Sequence, residues 1–167
     1  MKYYIAIPTY NGGDIWHQVV ENIKKYAPSD LFVHVIDSSS IDDTVSVAEE
    51  AGFNVLSIAS SDFNHGNTRN QAIDNYFENY DIVIFLTQDA IPQSGFIESI
   101  VSVFSDENIV CAYGRQLPHD DASPLAQHAR GFSYPEKGYI CGKDDASVMG
   151  LKTVFMSNSF SAYRLSV

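Results

Sequence analysis

Ile82-Val83-Ile84-Phe85-Leu86-Thr87-Gln88-Asp89-Ala90 is an apolar run that ends almost directly on a lone carboxylate. Continuous rather than alternating apolar residues mark a parallel strand covered on both faces, and open α/β sheets bind ligands beyond the carboxyl ends of such strands. Asp89 therefore stands where a metal ion and a phosphate would sit. From these residues alone a second reading stays open: Asp89 caps the segment that begins near Pro92, as Asp does at many strand-to-helix turns.

Strand and helix patterns alternate on the N-terminal side of this run. Tyr3 to Ile7 is a strand, and Asp14 is placed to cap a helix whose Ile15, Trp16, Val19, Val20 and Ile23 share one face. Leu31 to Ile36 is the second strand, the Ser38 to Asp43 turn leads to a helix over Thr44 to Ala51, and Phe53 to Ile58 is the third strand. Asn67 to Tyr80 is helical, with Ala72, Ile73, Tyr76, Phe77 and Tyr80 inward. After Asp89, Pro92 occupies a helix's first turn, followed by the stripe Phe96, Ile97, Ile100, Val101 and Phe104, and Ile109 to Tyr113 is a fifth strand. This alternation with short connections predicts a three-layer α/β/α architecture, a mostly parallel sheet flanked by helices on both sides. From Gly114 to Gly150 the pattern dissolves, so residues 114–152 are expected as a long irregular, acceptor-side region before a strand at Thr153 to Met156.

With 167 residues, 45% of them apolar and 13% aromatic, the chain suits one core, and a single domain over residues 1–167 is expected. A formal net charge of −11 argues against nucleic-acid wrapping or an anionic membrane surface as partner. A phosphate-bearing ligand would have to be held locally, by a metal ion, helix N-termini and one or two placed arginines. Cys111 and Cys141 lack the number and spacing of a disulfide framework or zinc site and read as reduced, part-buried residues, which points to a cytoplasmic location. Neither a secretion signal nor a transmembrane segment is visible. Ser161-Ala162-Tyr163-Arg164-Leu165 reads as an unfinished pattern, which predicts the N-terminal portion of a longer protein.

Three turns follow the carboxyl ends of separate strands: Pro8-Thr9-Tyr10-Asn11-Gly12-Gly13, Asp37-Ser38-Ser39-Ser40-Ile41-Asp42-Asp43-Thr44 and Thr87-Gln88-Asp89-Ala90. In a parallel sheet they converge on one edge. The first has neither dinucleotide-fingerprint nor P-loop spacing. Asp37 either accepts hydrogen bonds from a nucleotide base or ribose, or builds its own turn with the serines. A fourth segment, Asp62-Phe63-Asn64-His65-Gly66-Asn67-Thr68-Arg69-Asn70, brings a glycine, a cation and several amides to a helix N-terminus.

In this order and spacing the segments resemble the nucleotide-sugar domain of family 2 glycosyltransferases, the GT-A fold, across essentially the whole chain. Pro8-Thr9-Tyr10-Asn11 is similar to the family's opening Pro-x-Tyr-Asn turn, and Asp37-Ser38-Ser39-Ser40 to its Asp-Asp-x-Ser turn with Ser38 replacing the second acid. Phe63 to Asn70, Gly114-Arg115-Gln116-Leu117-Pro118 and Phe155-Met156-Ser157-Asn158-Ser159 look like a rhamnosyltransferase-type subgroup. Thr87-Gln88-Asp89-Ala90 resembles a variant, tolerated in that subgroup, of the metal-holding Asp-x-Asp motif. The resemblance implies nucleotide-sugar contacts from Pro8, Thr9, Tyr10, Asn11, Asp37, Ser39, His65, Gly66, Arg69, Thr87, Gln88, Asp89 and Asn158, with Asp89 on Mg²⁺ or Mn²⁺.

It implies inverting, metal-assisted sugar transfer, of rhamnose or a related deoxyhexose, from a nucleoside diphosphate sugar to a saccharide or lipid-linked acceptor. The setting would be cell-surface polysaccharide synthesis, in the cytoplasm or at the inner face of the membrane. His119, Asp120, Asp121 and His128 are acceptor-contact candidates, and the catalytic carboxylate is expected beyond Val167. Two other readings are a nucleotidyltransferase, which should carry a basic Gly-rich loop after the first strand, and a non-catalytic nucleotide-sugar-binding module.

Overall fold

The computed structural model describes residues 1–119 and 121–166. Its centre is a six-stranded sheet in the order β3-β2-β1-β4-β6-β5. β1 (Tyr3–Thr9), β2 (Val33–Asp37), β3 (Asn54–Ser57) and β4 (Ile82–Leu86) run parallel, whereas β6 (Phe160–Arg164) is antiparallel to both β4 and β5 (Cys111–Tyr113). Every residue of β2 and β4 is buried, as expected for strands covered on both faces.

Strand periodicity divides the sheet's side chains between two cores. Ile5, Ile7, Val33, Val35, Ile82, Ile84 and Leu86 meet α1 (Gly13–Tyr26), α2 (Thr44–Glu50) and α4 (Phe96–Ser102) through Trp16, Val19, Ile23, Ala48, Phe96, Ile97 and Ile100. Tyr4, Ala6, Ile36, Val83 and Phe85 form the opposite core with Ala72 of α3 (His65–Asp74). The expected three-layer arrangement is present. Among the described residues, no helix is long and apolar enough to cross a membrane.

The elements differ from the sequence expectations in several places. α1 starts at Gly13 with Gly12 at its cap, so Asp14 lies in the first turn, where its charge faces the positive end of the helix. α3 spans His65–Asp74 rather than 67–80, because the Asn64 side chain accepts the amides of Gly66 and Asn67 and starts the helix early. Past Asp74 the chain turns, and Phe77 is 52% exposed rather than inward. α4 begins only after Gly95, at φ 79°, so Pro92 precedes the helix and accepts a hydrogen bond from Asn22 instead.

Residues 114–152 are not wholly irregular: Ser123 caps α5 (Pro124–Ser133), and α6 (Ala146–Met149) follows a 3₁₀ turn. Thr153 to Met156 is no strand, since Thr153 closes a 3₁₀ turn onto the Gly150 carbonyl. The last strand is instead the segment read as unfinished: Phe160 and Ala162 face α4, while Ser161 and Tyr163 share the Phe85 face. Cys111 and Cys141 are free thiols, and Cys111 is exposed rather than part-buried.

Candidate nucleotide-sugar site at the carboxyl ends of the strands

Thr9 and Asp37 are register partners at the ends of β1 and β2. Asp37 is 1% exposed, and its carboxylate accepts from the Thr9 hydroxyl at 3.0 Å, the Ser40 amide at 2.8 Å and the Ser40 hydroxyl. It therefore closes its own turn; the carboxylate's further acceptor capacity is all it retains for a ligand. Ser39 takes the left-handed conformation at φ 65° and donates its hydroxyl to the Ile58 carbonyl. Asn11, also left-handed at φ 45°, reaches across: its amide donates to Ser40 Oγ at 2.8 Å, and its side-chain carbonyl accepts from Ile41 at 2.9 Å.

Gln88 joins the third turn to the first. Its side chain accepts from the Tyr10 amide at 2.7 Å and donates to the Tyr10 carbonyl at 3.1 Å. Gln88 thus braces the β1 turn with both ends of its amide and is not free to ligate a metal. Three turns from three strands are stitched into one rim. On it Tyr10 stands 55% exposed, a ring free to stack on a base. Pro8 is half-buried behind it.

Arg69 borders the rim from the α3 side. Its Nη1 donates to the His65 carbonyl at 2.8 Å and its guanidinium lies 5.7 Å from the centre of the Phe85 ring, while Nε has no partner. Burial lowers its pKa, yet an arginine stays charged in proteins. His65 packs edge-on against Phe63 and is exposed, and the Gly66 amide is taken by Asn64. The hydroxyls of Ser38, Thr87 and Ser161 are likewise buried without a partner. Ser161 is directly opposite Phe85, and Thr87 continues the ladder through its amide to Ser159. From the sequence Ser161 stands only in the run read as unfinished and not as a site residue; its alternation with Phe160 and Ala162 is the available signal.

Asp89 is exposed in the turn after β4 and borders a cavity of about 520 Å³ that is also lined by Pro92, Phe96, Arg115, Gln116 and Arg130. Among the described residues no group of three His, Cys, Asp or Glu side chains could hold a metal. A single hard carboxylate fits Mg²⁺ or Mn²⁺ when ligand phosphates and water complete the shell. Asn158 is exposed just before β6, next to the buried Ser157. Of the acceptor candidates, His119 lines the cavity, Asp121 and His128 are exposed, and Asp120 lies outside the described residues. Arg115 and Arg130, which line the cavity, and Tyr134, whose carbonyl accepts from Arg115, were not singled out as site residues from sequence.

The sequence model described as "Glycosyl transferase family 2" matches residues 4–167. The chain belongs to this family. It is 48% identical over 169 residues to the O-antigen chain rhamnosyltransferase RfbN of Salmonella typhimurium, covering 100% of this chain and 54% of that protein. It is 46% identical over 168 residues to the O-antigen chain rhamnosyltransferase WbaN of Salmonella anatum, covering 99% of this chain and 53% of the relative. The chain thus spans about half the length of the curated relatives it matches. The mannosyltransferase PcManGT from Pyrobaculum calidifontis, solved in complex with GDP-Man and Mn²⁺, superposes with a TM-score of 0.68 at 18% identity, over 98% of this chain and 44% of that one. The fold is GT-A. A nucleotidyltransferase is disfavoured by the family match and by a β1 turn, Pro8 to Gly13, without Lys or Arg.

Proposed function

We propose that this family 2 chain is the nucleotide-sugar portion of a glycosyltransferase. It would move rhamnose or a related deoxyhexose from a nucleoside diphosphate sugar to a hydroxyl of a saccharide or lipid-linked acceptor during cell-surface polysaccharide synthesis on the cytoplasmic side. Residues 1–167 act as one domain in this reading. Its main support is the rim itself: hydrogen bonds from Asn11 to the β2 turn and from Gln88 to Tyr10 bring Thr9, Asp37 and Asp89 to one edge of the sheet.

On this rim Tyr10 stacks on the base, with Pro8, Thr9, Asn11, Asp37 and Ser39 shaping the pocket around base and ribose. Arg69 neutralises the diphosphate, with the adjoining His65 and Gly66 forming the wall of its pocket and Thr87 and Gln88 holding the turn that aims Asp89. Asn158 contacts the substrate from the β6 side. Asp89 would hold Mg²⁺ or Mn²⁺, which would supply positive charge against the departing diphosphate. The acceptor oxygen attacks the anomeric carbon opposite the departing phosphate oxygen, which inverts that centre. No residue of this chain is assigned as the base that takes the acceptor's proton.

Thermal-shift scans with UDP-, dTDP- and GDP-sugars, with and without Mn²⁺, test the reading. Stabilisation by a nucleotide sugar together with metal is expected, whereas a response to a nucleoside triphosphate alone favours nucleotidyl transfer. Asp89→Ala should remove the metal-dependent part of nucleotide affinity without lowering the melting temperature, because the side chain is exposed. Equal affinity in the variant, with metal present, refutes the metal assignment.

A further inference from the structure

Only ten Lys and Arg residues stand against twenty-one Asp and Glu, and four of the ten are arginines. Arg69 borders the donor rim, and Arg164 is committed to the carbonyls of Phe104, Asp106 and Ile109. The other two, Arg115 and Arg130, line the cavity that Asp89 borders. They come from different elements, the loop after β5 and α5, so α5 is what brings them to a common wall.

Both guanidinium groups are braced from behind by neutral partners. Arg130 donates Nη1 to the Gln116 side-chain carbonyl and lies 5.8 Å from the centre of the Tyr134 ring. Arg115 donates Nε to the Tyr134 carbonyl at 3.2 Å. Gln116 donates in turn to Ser157 Oγ, which also accepts from the Tyr134 hydroxyl at 3.2 Å. Tyr134 and Ser157 are 8% and 5% exposed, so the brace is buried although the cationic ends are not.

Among the described residues Arg130 has no ion-pair partner, and Arg115 has only a loose one. No carboxylate oxygen there lies within 4.0 Å of Arg130, and the one near Arg115 belongs to Glu136 at 3.9 Å, beyond hydrogen-bond reach on a side chain 89% exposed. Two fixed guanidinium forks that keep unused donors make an oxyanion receptor, since the fork matches phosphate and carboxylate geometry. A chain of net charge −11 offers an anion no general attraction, so any that binds here does so through these local groups.

We propose that Arg115 and Arg130 form a second anion-binding locus, distinct from the donor diphosphate site, that takes a phosphate or carboxylate group carried by the acceptor saccharide. The inference rests on the sugar-transfer reading and adds to it the acceptor's chemical class. Asp89 and its metal serve the donor diphosphate from the turn after β4. The arginines, carried by the loop after β5 and by α5, orient the acceptor by its charge and thereby present one hydroxyl to the reacting carbon.

The test is calorimetric titration of a hexose 1-phosphate, and of the same free hexose, into the 167-residue chain held with nucleoside diphosphate and Mn²⁺. The phosphorylated sugar is expected to bind at least about tenfold more tightly than the free sugar. Arg130→Ala and Arg115→Ala should each remove about tenfold of that advantage while leaving nucleoside diphosphate affinity within about twofold. Arg115→Lys, which retains charge but not the fork, should fall between.

Equal binding of the two sugars overturns the proposal. So does competition between hexose 1-phosphate and the nucleotide, or loss of nucleoside diphosphate affinity in Arg130→Ala, either of which would assign the cations to the donor diphosphate. Failure of the donor reading is separable: the wild-type chain would then not bind nucleoside diphosphate with Mn²⁺, while the hexose 1-phosphate titration is still read without nucleotide.

Discussion

Arg69 carries two separable roles. Its hydrogen bond to the His65 carbonyl and its seat over Phe85 are local packing, whereas the guanidinium donors not taken by His65 are the part a diphosphate would use. Arg69→Ala should weaken nucleoside diphosphate binding by at least about 1.5 kcal/mol, the scale of a charge-assisted hydrogen bond, or about tenfold. An unaltered dissociation constant beside a lowered melting temperature would leave it a packing residue. His34 poses the converse case, a titratable group away from the rim. It is 1% exposed, its Nδ1 is 2.8 Å from the Asn54 side-chain oxygen, and its Nε2 is buried without a partner. Burial lowers its pKa, outweighing the hydrogen bond to Asn54. The unfolded imidazole, titrating near about 6.5, then binds its proton before the folded one does, so stability is full above that pH and falls as the pH drops toward the lower folded value. The melting temperature should decline as the pH drops below about 6.5, and less steeply in His34→Asn. Parallel curves for the two proteins would contradict this.

At the scale of elements, the closest constraint is where β5 ends against β6. A Cβ on Gly114 would lie 2.0 Å from Phe160 Cδ1, inside the ring's own volume. Gly114→Ala must displace Phe160, which lines the cavity beside Asp89, or part the two strands, and overpacking of this kind costs about 1–3 kcal/mol. Urea denaturation should show that loss. Gly138→Ala, with nothing within 4 Å of the added Cβ, should leave the midpoint nearly unchanged. The same junction shows what the sequence discloses. β1, β2 and β4 are legible because parallel strands buried on two faces need long apolar runs, and Asp37 and Asp89 are legible because they end such runs. β6 is not, because Phe-Ser-Ala-Tyr-Arg mixes its two faces in a short alternation, and its partner β5 is three residues long. The Arg115–Arg130 wall is hidden for another reason. Its members are fifteen positions apart, and only α5, whose Ser123-Pro124 start is a readable helix signal, folds one back beside the other.

At the scale of the whole molecule, charge is the unbalanced quantity. Against a formal net charge of −11, the ion pairs among the described residues are His17 with Asp43, which counts only when the histidine is protonated, and the 3.9 Å approach of Arg115 to Glu136. Exposed pairs of this sort contribute little. Long-range repulsion among carboxylates therefore outweighs local attraction, and salt should act on the repulsion first. Raising NaCl from about 0.05 M to about 0.5 M shortens the screening length from about 14 Å to about 4 Å. The apo chain's melting temperature should rise, by about 2–4 °C for each kcal/mol of repulsion relieved. Chloride is the right probe, because sulfate would strengthen apolar burial independently of charge. A falling melting temperature would show that short-range pairs dominate after all. The same field acts on ligands. A diphosphate reaches the rim against it, so the cations that meet it must be near and fixed, as Arg69 is by Phe85 and the His65 carbonyl.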